Sequence, residues 1–401
     1  MAAQTTLAFD DLPLPRPTLA LARTGRTARA TQALAAAEAE DLFGPGEARD
    51  PAFELGWDFA HHGLVPPAEH LLPGHPLRHG WEAGRAAFGP RTLRVGRGVR
   101  QWLQLRLAAW HQGQAFEGVQ VTPNFLAQID SLRCPITRAD LGEDDGREAV
   151  VERLNHRAGY AAGNLATLSR RAQQAKGGKR WDEARLMAVL AEARQTDGAG
   201  TAEGLSSAEW ARLATLMSFV TPLPHELAAS LPLRVLPPNR LRLLNPIQCL
   251  QVLITLQLTH SGFAVRIAQL TKLLPGIDLR RDFHLFFHTL LPRAWQGGRP
   301  GSDKEMRERL EDAWQNPDVL RRWQRFSSQL SAEQADDLVQ RLVAKGLASG
   351  VPGAQRARAA QWHPSHRATE GWAMERAGHA AHRASPKATA GAAAPHCALT
   401  A

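Results

Sequence analysis

The amino-acid sequence predicts a mostly α-helical protein with one small β-hairpin followed by a helix, and with flexible ends. Apolar residues recur at helical spacing before the hairpin, as at Val99, Leu103, Leu107 and Trp110. Val150-Val151 is strand-like, a loop bounded by glycines follows, and the next helical segment ends at Lys176-Gly177. The residues from 346 onward are rich in Ala, Gly, Pro and His, a composition that cannot form a packed core.

Whole-chain properties limit the classes of function. The 401 residues are enough for two or three domains, and the net charge of +9 favours a polyanionic partner, nucleic acid before acidic membrane. Three distant cysteines form no CxxC pair, which suits a reducing cytosol. Residues 1–11 carry acids and no continuous apolar segment, and the most apolar run, 247–258, is too short for a membrane span. We therefore expect a soluble, cytoplasmic protein that does not bind membranes.

Composition and periodicity divide the chain into seven segments. In order, we predict a flexible leader (1–50), a basic and partly helical region (51–130), the hairpin–helix module (131–178), a helical segment (179–220), a Pro-rich linker (221–246), a helical domain (247–345) and a disordered basic tail (346–401). Helix starts are indicated by the capping boxes that open at Ser206, Ser302 and Ser331, and by Asn245-Pro246.

A stretch without acids precedes the module. Residues 83–116 contain six arginines and no Asp or Glu. The predicted apolar face of the helix in this stretch excludes Arg100 and Arg106, and Arg97 and Arg100 are the candidates for phosphate contacts. The alternative is an ordinary solvated face, and the sequence leaves both open.

The module carries the chemistry that the sequence suggests. It contains Val151-Glu152-Arg153-Leu154-Asn155-His156, then Gly159-Tyr160-Ala161-Ala162-Gly163-Asn164-Leu165, then Arg170-Arg171-Ala172-Gln173-Gln174-Ala175-Lys176-Gly177. A compact unit of this kind can hold a metal and a water-activating base against one phosphodiester. Its cationic side chains would hold the nucleic-acid backbone, and the candidates are Arg170, Arg171, Lys176, Lys179 and Arg180.

This order of residues resembles the HNH (His-Me finger) nuclease family over residues 131–178. The resemblance implies a ββα-metal fold, phosphodiester hydrolysis and a divalent cation such as Mg²⁺ if the module is active. It also implies that Glu152 and Gln173 are metal ligands and that Asn164 orients the base. An amide oxygen is an acceptable ligand for a hard cation. DNA is expected as the partner rather than RNA, while the oligomeric state is not indicated.

The module departs from the family pattern at two places. Arg153 stands where the general-base histidine belongs, and arginine remains protonated and cannot accept a proton from water. His156, three residues further on, is the candidate replacement. Of the four zinc-cysteine positions only Cys134 is a cysteine, whereas the others are Thr137, Ser169 and Ala172. One thiolate cannot hold a structural zinc ion, so none is expected.

Three interpretations remain open on the sequence. The module is an active metal-dependent nuclease, or an inactive module that still binds nucleic acid, or an ordinary hairpin–helix within a helical interaction scaffold. Cations that face phosphates would distinguish binding from scaffolding, and metal-dependent cleavage would distinguish an enzyme from a binder.

Overall fold

The computed structural model describes residues 50–142, 148–196, 200–296, 298 and 300–347. Within these residues the protein has fourteen α-helices and one two-stranded antiparallel sheet, so the predicted mostly helical class is confirmed. The predicted flexible leader and disordered tail lie outside the described residues, apart from residues 50, 346 and 347. None of the described helices combines the length and the apolar character that crossing a membrane requires.

The elements follow one another with short connections. Before the sheet come α1 (Pro51–His61), α2 (Pro76–Phe88), α3 (Arg97–His111) and α4 (Pro123–Ile129). The module contributes β1 (Ala149–Arg153), β2 (Leu165–Ser169) and α5 (Arg170–Lys176). After it come α6 (Trp181–Thr196), α7 (Ser207–Phe219), α8 (His225–Ser230), α9 (Pro246–Gln257), α10 (Phe263–Leu273), α11 (Ile277–Ala294), α12 (Asp303–Ala313), α13 (Pro317–Ser327) and α14 (Ala332–Ala344).

Helix starts agree with the capping residues of the sequence. Ser206 and Ser331 each form a complete capping box, at the starts of α7 and α14. Ser302 caps α12 by accepting from the Glu305 backbone N–H, but the Glu305 carboxylate bonds to the Gly301 N–H rather than back to Ser302. The predicted start at Ser302 is therefore right, although only half of its capping box forms.

The sheet places the module between two helical layers. β1 and β2 pair with Arg153 opposite Leu165 and Ala149 opposite Ser169. Every residue of β2 is buried, and the Thr167 hydroxyl donates to the Ile129 carbonyl at the end of α4 (2.9 Å). α5 begins directly after β2, where the Ser169 hydroxyl accepts from the Ala172 N–H. The predicted β-hairpin followed by a helix is thus present.

The module shares its core with the helices that follow it. Leu154, Leu168 and Ala172 belong to the same buried cluster as Trp210 of α7 and Trp314 after α12. Two smaller clusters fill the amino-terminal half. In one of them, α3 presents Val99, Leu103, Leu107 and Trp110 to α1 and α2, as the periodicity predicted. Most of the buried apolar residues described between 134 and 347 therefore belong to one main core, while Val151, Tyr160, Ala162 and Leu165 of the module lie in one of the smaller clusters.

The segment predicted as a Pro-rich linker requires correction. Residues 221–246 contain α8. The apolar side chains among their prolines that are buried in the main core include Leu233, Val235, Leu236, Leu241 and Leu243. Proline removes a backbone donor and ends helices, but it does not prevent the residues around it from packing. The prolines produce turns within the core, and no extended linker separates the predicted domains.

Candidate functional site

Three titratable side chains of the module meet where β1 faces α5. The Nζ atom of Lys176 lies 3.0 Å from Oε1 of Glu152, and His156 Nε2 lies 3.3 Å from the same oxygen. Lys176 Nζ is also in close contact with His156 Nε2 and lies 3.3 Å from the Gly177 carbonyl oxygen. The Lys176 ammonium group thus donates to the Glu152 carboxylate and to the Gly177 carbonyl, while the role of His156 Nε2 as donor or acceptor depends on the tautomer of the imidazole.

Burial makes this cluster electrostatically coupled. Lys176 is fully buried, whereas the side chains of Glu152 and His156 are 14% and 33% exposed. Burial disfavours the Glu152 carboxylate, but the hydrogen bond from His156 and the charge of Lys176 outweigh it and lower the pKa of this carboxyl. Burial lowers the pKa of Lys176, and the neighbouring Glu152 carboxylate partly offsets that shift. The lysine is the internal counter-ion of the glutamate.

Arg153 is a structural residue of the loop. It is 5% exposed, and its guanidinium donates to Gln114 Oε1 (3.0 Å), Gln112 Oε1 (3.2 Å) and the Ala158 carbonyl (3.2 Å). The same group lies over the ring of Tyr160, 4.4 Å from its centroid. A group that is always protonated and has all these partners cannot serve as a base, so Arg153 cannot replace the general-base histidine whose position in the motif it occupies.

Asn164 fastens the loop that joins the strands. It is fully buried; its Oδ1 accepts from the Asn155 N–H (2.9 Å), and its Nδ2 donates to the carbonyls of Asn155 (2.9 Å) and Gly159 (3.0 Å). The adjacent Gly163 has φ +94°, and a Cβ built there would lie 2.2 Å from Arg242 Cγ. The amide of Asn164 therefore fixes the backbone immediately before His156.

Two of the four predicted zinc-cysteine positions are in contact. The Ser169 hydroxyl donates to Cys134 Sγ (3.4 Å) across 35 residues of sequence, and both side chains are buried. Cys134 opens a turn that Arg138 closes with its backbone N–H (3.0 Å), and Arg138 has φ +56°. A hydrogen bond and apolar packing by Ile136, Leu154 and Leu168 hold this end of the module together.

The cations predicted to contact phosphate are mostly neutralised within the protein. Arg170 pairs with Glu148 (2.5 Å), Lys179 with Glu203 (2.5 Å) and Arg180 with Asp182 (2.5 Å). Arg171 pairs closely with Glu209, and Lys176 is buried against Glu152. The sequence interpretation of Lys176 as a phosphate contact does not fit this placement. Ala172, Ala175 and Lys176 occupy one face of α5 at helical spacing, and this pattern was the available signal that Lys176 points inward.

The acid-free stretch, by contrast, carries a run of exposed arginines. Arg91, Arg94 and Arg100 are exposed, and in the described residues no ion pair joins any of them to an acid. Arg97 is 71% exposed and lies 4.0 Å from Asp130, whereas Arg106 is paired closely with Asp58. We call Arg91, Arg94, Arg97 and Arg100 the arginine surface.

Comparison with known proteins adds no relative. No protein-family model, no curated protein and no solved structure matches the chain.

One of the two metal ligands that the HNH resemblance implies, Glu152, is already engaged within the protein. In the described part of the chain, no group of three or more His, Cys, Asp or Glu side chains is arranged to hold a metal. Gln173 is half-buried one turn before Lys176, and whether its amide converges with Glu152 stays a prediction. The Glu152 carboxylate already has the Lys176 ammonium as its cation. A metal ion at that oxygen would have to displace a buried lysine.

Proposed function

We propose that this protein binds nucleic acid, duplex DNA in particular, and that its ββα module is an HNH-like unit that does not hydrolyse phosphodiesters. The arginine surface carries the proposal. Four exposed guanidinium groups lie within ten residues of sequence, and the described residues offer them only one acid, at 4.0 Å. Guanidinium groups neutralise phosphates with release of counterions, which provides affinity without sequence preference.

The HNH-like character of the module is supported by three features of its structure. The antiparallel strands lead directly into a helix, in the order that the resemblance implies. The side chains at two predicted zinc-cysteine positions, Cys134 and Ser169, meet. Asn164 braces the loop beside the expected base position.

The proposed absence of hydrolysis rests on Arg153 and Lys176. Arg153 replaces the base and is bound within the loop. Lys176 provides the positive charge that a metal would otherwise bring to Glu152, but a buried ammonium group cannot ligate and activate water as a metal does. The module would then act as a rigid support beside the arginine surface.

Binding is tested with a fluorescent duplex DNA, by anisotropy at a series of salt concentrations. The variant Arg91→Gln/Arg94→Gln/Arg100→Gln should weaken binding, and the slope of log affinity against log salt should fall by about 0.9 for each phosphate that is no longer neutralised. The matched control is Arg170→Gln/Arg171→Gln/Arg180→Gln, which removes the same charge from paired positions and should change the slope little. An unchanged affinity in the first variant together with a loss in the second would overturn the assignment of the surface.

An active nuclease is the second candidate, because the imidazole of His156 lies beside the Glu152 carboxylate and is one-third exposed. Plasmid and RNA cleavage are measured with Mg²⁺, Mn²⁺ or Ni²⁺, and we expect the wild-type chain to be inactive. Metal-dependent cleavage that is lost in both Glu152→Gln and His156→Ala, at unchanged DNA affinity, would replace our proposal with this candidate.

A further inference from the structure

A cavity unrelated to the arginine surface lies between α6, α7 and the segment that follows α8. Its volume is about 520 Å³. The wall contributed by α7 consists of small side chains, among them Ala208, Ala211 and Ala214, and α6 adds Ala188 beside larger residues. Cavities of a few hundred Å³ with mixed apolar and polar walls are the usual form of small-molecule sites.

One end of this cavity is cationic. Arg234 lines it and is half-buried, and within the described residues its guanidinium makes no hydrogen bond or ion pair with another side chain. Burial lowers the pKa of Arg234, and the Glu192 carboxylate, which also lines the cavity, opposes that shift. Arg185, which is exposed, contributes a second cation at the rim. Five N–H donors in a planar group are arranged to grip the two oxygens of a carboxylate or phosphate.

The rest of the wall is suited to an apolar body. Val189, Leu231 and Leu320 line the cavity beside the alanines. The hydroxyl donor of Thr215 is already used within α7, where it bonds to the Ala211 carbonyl (2.9 Å), and that of Ser230 is bonded to the Leu227 carbonyl (2.8 Å). The charged donors of the cavity are the two arginines, and Trp181, Ser207 and Gln315 add neutral donors to its lining.

We propose that this cavity binds an amphipathic organic anion, with its carboxylate or phosphate group on Arg234 and its apolar body against Val189, Leu231 and the alanines of α6 and α7. The site is independent of the nucleic-acid function proposed above. A carboxylate and a phosphate share the anionic oxygens that Arg234 recognises, and the apolar body supplies the area buried from water.

The test is isothermal titration calorimetry of the full chain with octanoate and with octyl phosphate. Octanol has the apolar chain without the anionic group, whereas acetate and inorganic phosphate have the anionic group without the apolar chain. We expect the octyl anions to bind, octanol to bind at least about tenfold more weakly, and the small anions not to bind measurably. Preference for octanoate or for octyl phosphate identifies which anionic group the site takes.

Three variants test whether the octyl compounds bind in this cavity. Arg234→Met keeps the apolar stem and removes the charge, and it should weaken the octyl anions by at least about tenfold while leaving octanol unchanged. Arg194→Met, on α6 but outside the cavity, is the matched control and should bind like wild type. Ala211→Leu should fill the cavity and exclude all three octyl compounds, with circular dichroism showing that the fold is kept. Equal affinity for octanol and octanoate, no change in Arg234→Met, or no binding of any octyl compound would each overturn the proposal.

Discussion

Lys176 shows how one side chain sets the chemistry of the module. A fully buried ammonium group is tolerated because Glu152, His156 and the Gly177 carbonyl surround it. Removing one partner of such a pair leaves the other charge buried without compensation. The resulting loss of folding free energy is far larger than the stabilisation that an exposed ion pair provides.

Lys176→Met should therefore lower the free energy of unfolding by about 3–5 kcal/mol, measured by urea denaturation. Lys179→Met removes a cation from a pair that is much more exposed and should cost at most about 1 kcal/mol. The double variant Glu152→Gln/Lys176→Met should lose less free energy of unfolding than the two single variants lose together, since neither charge remains buried in it. Strict additivity would mean that the two groups do not interact.

Glu117 is a buried carboxyl that sequence inspection passed over. It is 8% exposed and accepts from the Ala162 N–H (2.8 Å) in the loop before Asn164. Burial raises its pKa above the ordinary 4.5, although the Ala162 N–H and Arg242 oppose the shift.

The stability of the protein should depend on pH through Glu117. Because its pKa is higher in the folded state, the folded protein holds the proton more tightly, and stability is lost as the pH rises above 4.5 through the folded-state pKa. Glu117→Gln can still accept from Ala162 but does not titrate. Unfolding of both proteins, followed from pH 4.5 to 7.5, should show wild type losing stability relative to the variant; a constant difference would contradict this.

At the scale of elements, the β1–β2 loop depends on one backbone conformation. Gly163 has φ +94°, which residues with a Cβ rarely adopt, and the Arg242 side chain occupies the space that a Cβ would need. Arg242 in turn donates its backbone N–H to the Gly163 carbonyl (3.1 Å), so this contact joins the loop to the segment before α9.

Gly163→Ala should destabilise the protein by about 1–3 kcal/mol through backbone strain, with a further cost from displacing Arg242. Gly262→Ala is the matched control, because Gly262 has φ +75° and a Cβ added there would have no atom within 4 Å. The difference between the two variants in chemical denaturation measures the contact with Arg242. Equal losses of stability in the two variants would show that the Arg242 side chain moves aside without a cost in free energy.

At the scale of the whole molecule, the continuous core has a consequence for proteolysis. Residues 221–246 are part of it, and Arg234, Arg240 and Arg242 are all half-buried there. Arg91 and Arg94, by contrast, are exposed in an irregular segment before α3. Proteases require a locally unfolded, accessible backbone.

Limited trypsin digestion followed by mass spectrometry should cut after Arg91 or Arg94 before it cuts after Arg234, Arg240 or Arg242. The contrasting result, early cleavage within 221–246, is what the linker interpretation of the sequence would require. Arg91→Gln/Arg94→Gln provides the control, since it removes the early sites and should leave the later fragments unchanged.

Local patterns in the sequence determined the helical class, the cap residues Ser206 and Ser331, the hairpin–helix order and the apolar face of α3, because spacing and short-range hydrogen bonds control these features. Tertiary structure alone decided which charges distant in sequence meet. Glu152 and Lys176 are 24 residues apart in sequence, Arg171 and Glu209 are 38 apart, and no local pattern encodes those pairs. The packing of the proline-containing segment was likewise decided at long range, because burial depends on surfaces that distant helices supply. Whether a cation faces solvent or a buried carboxylate is therefore a property of the assembled core.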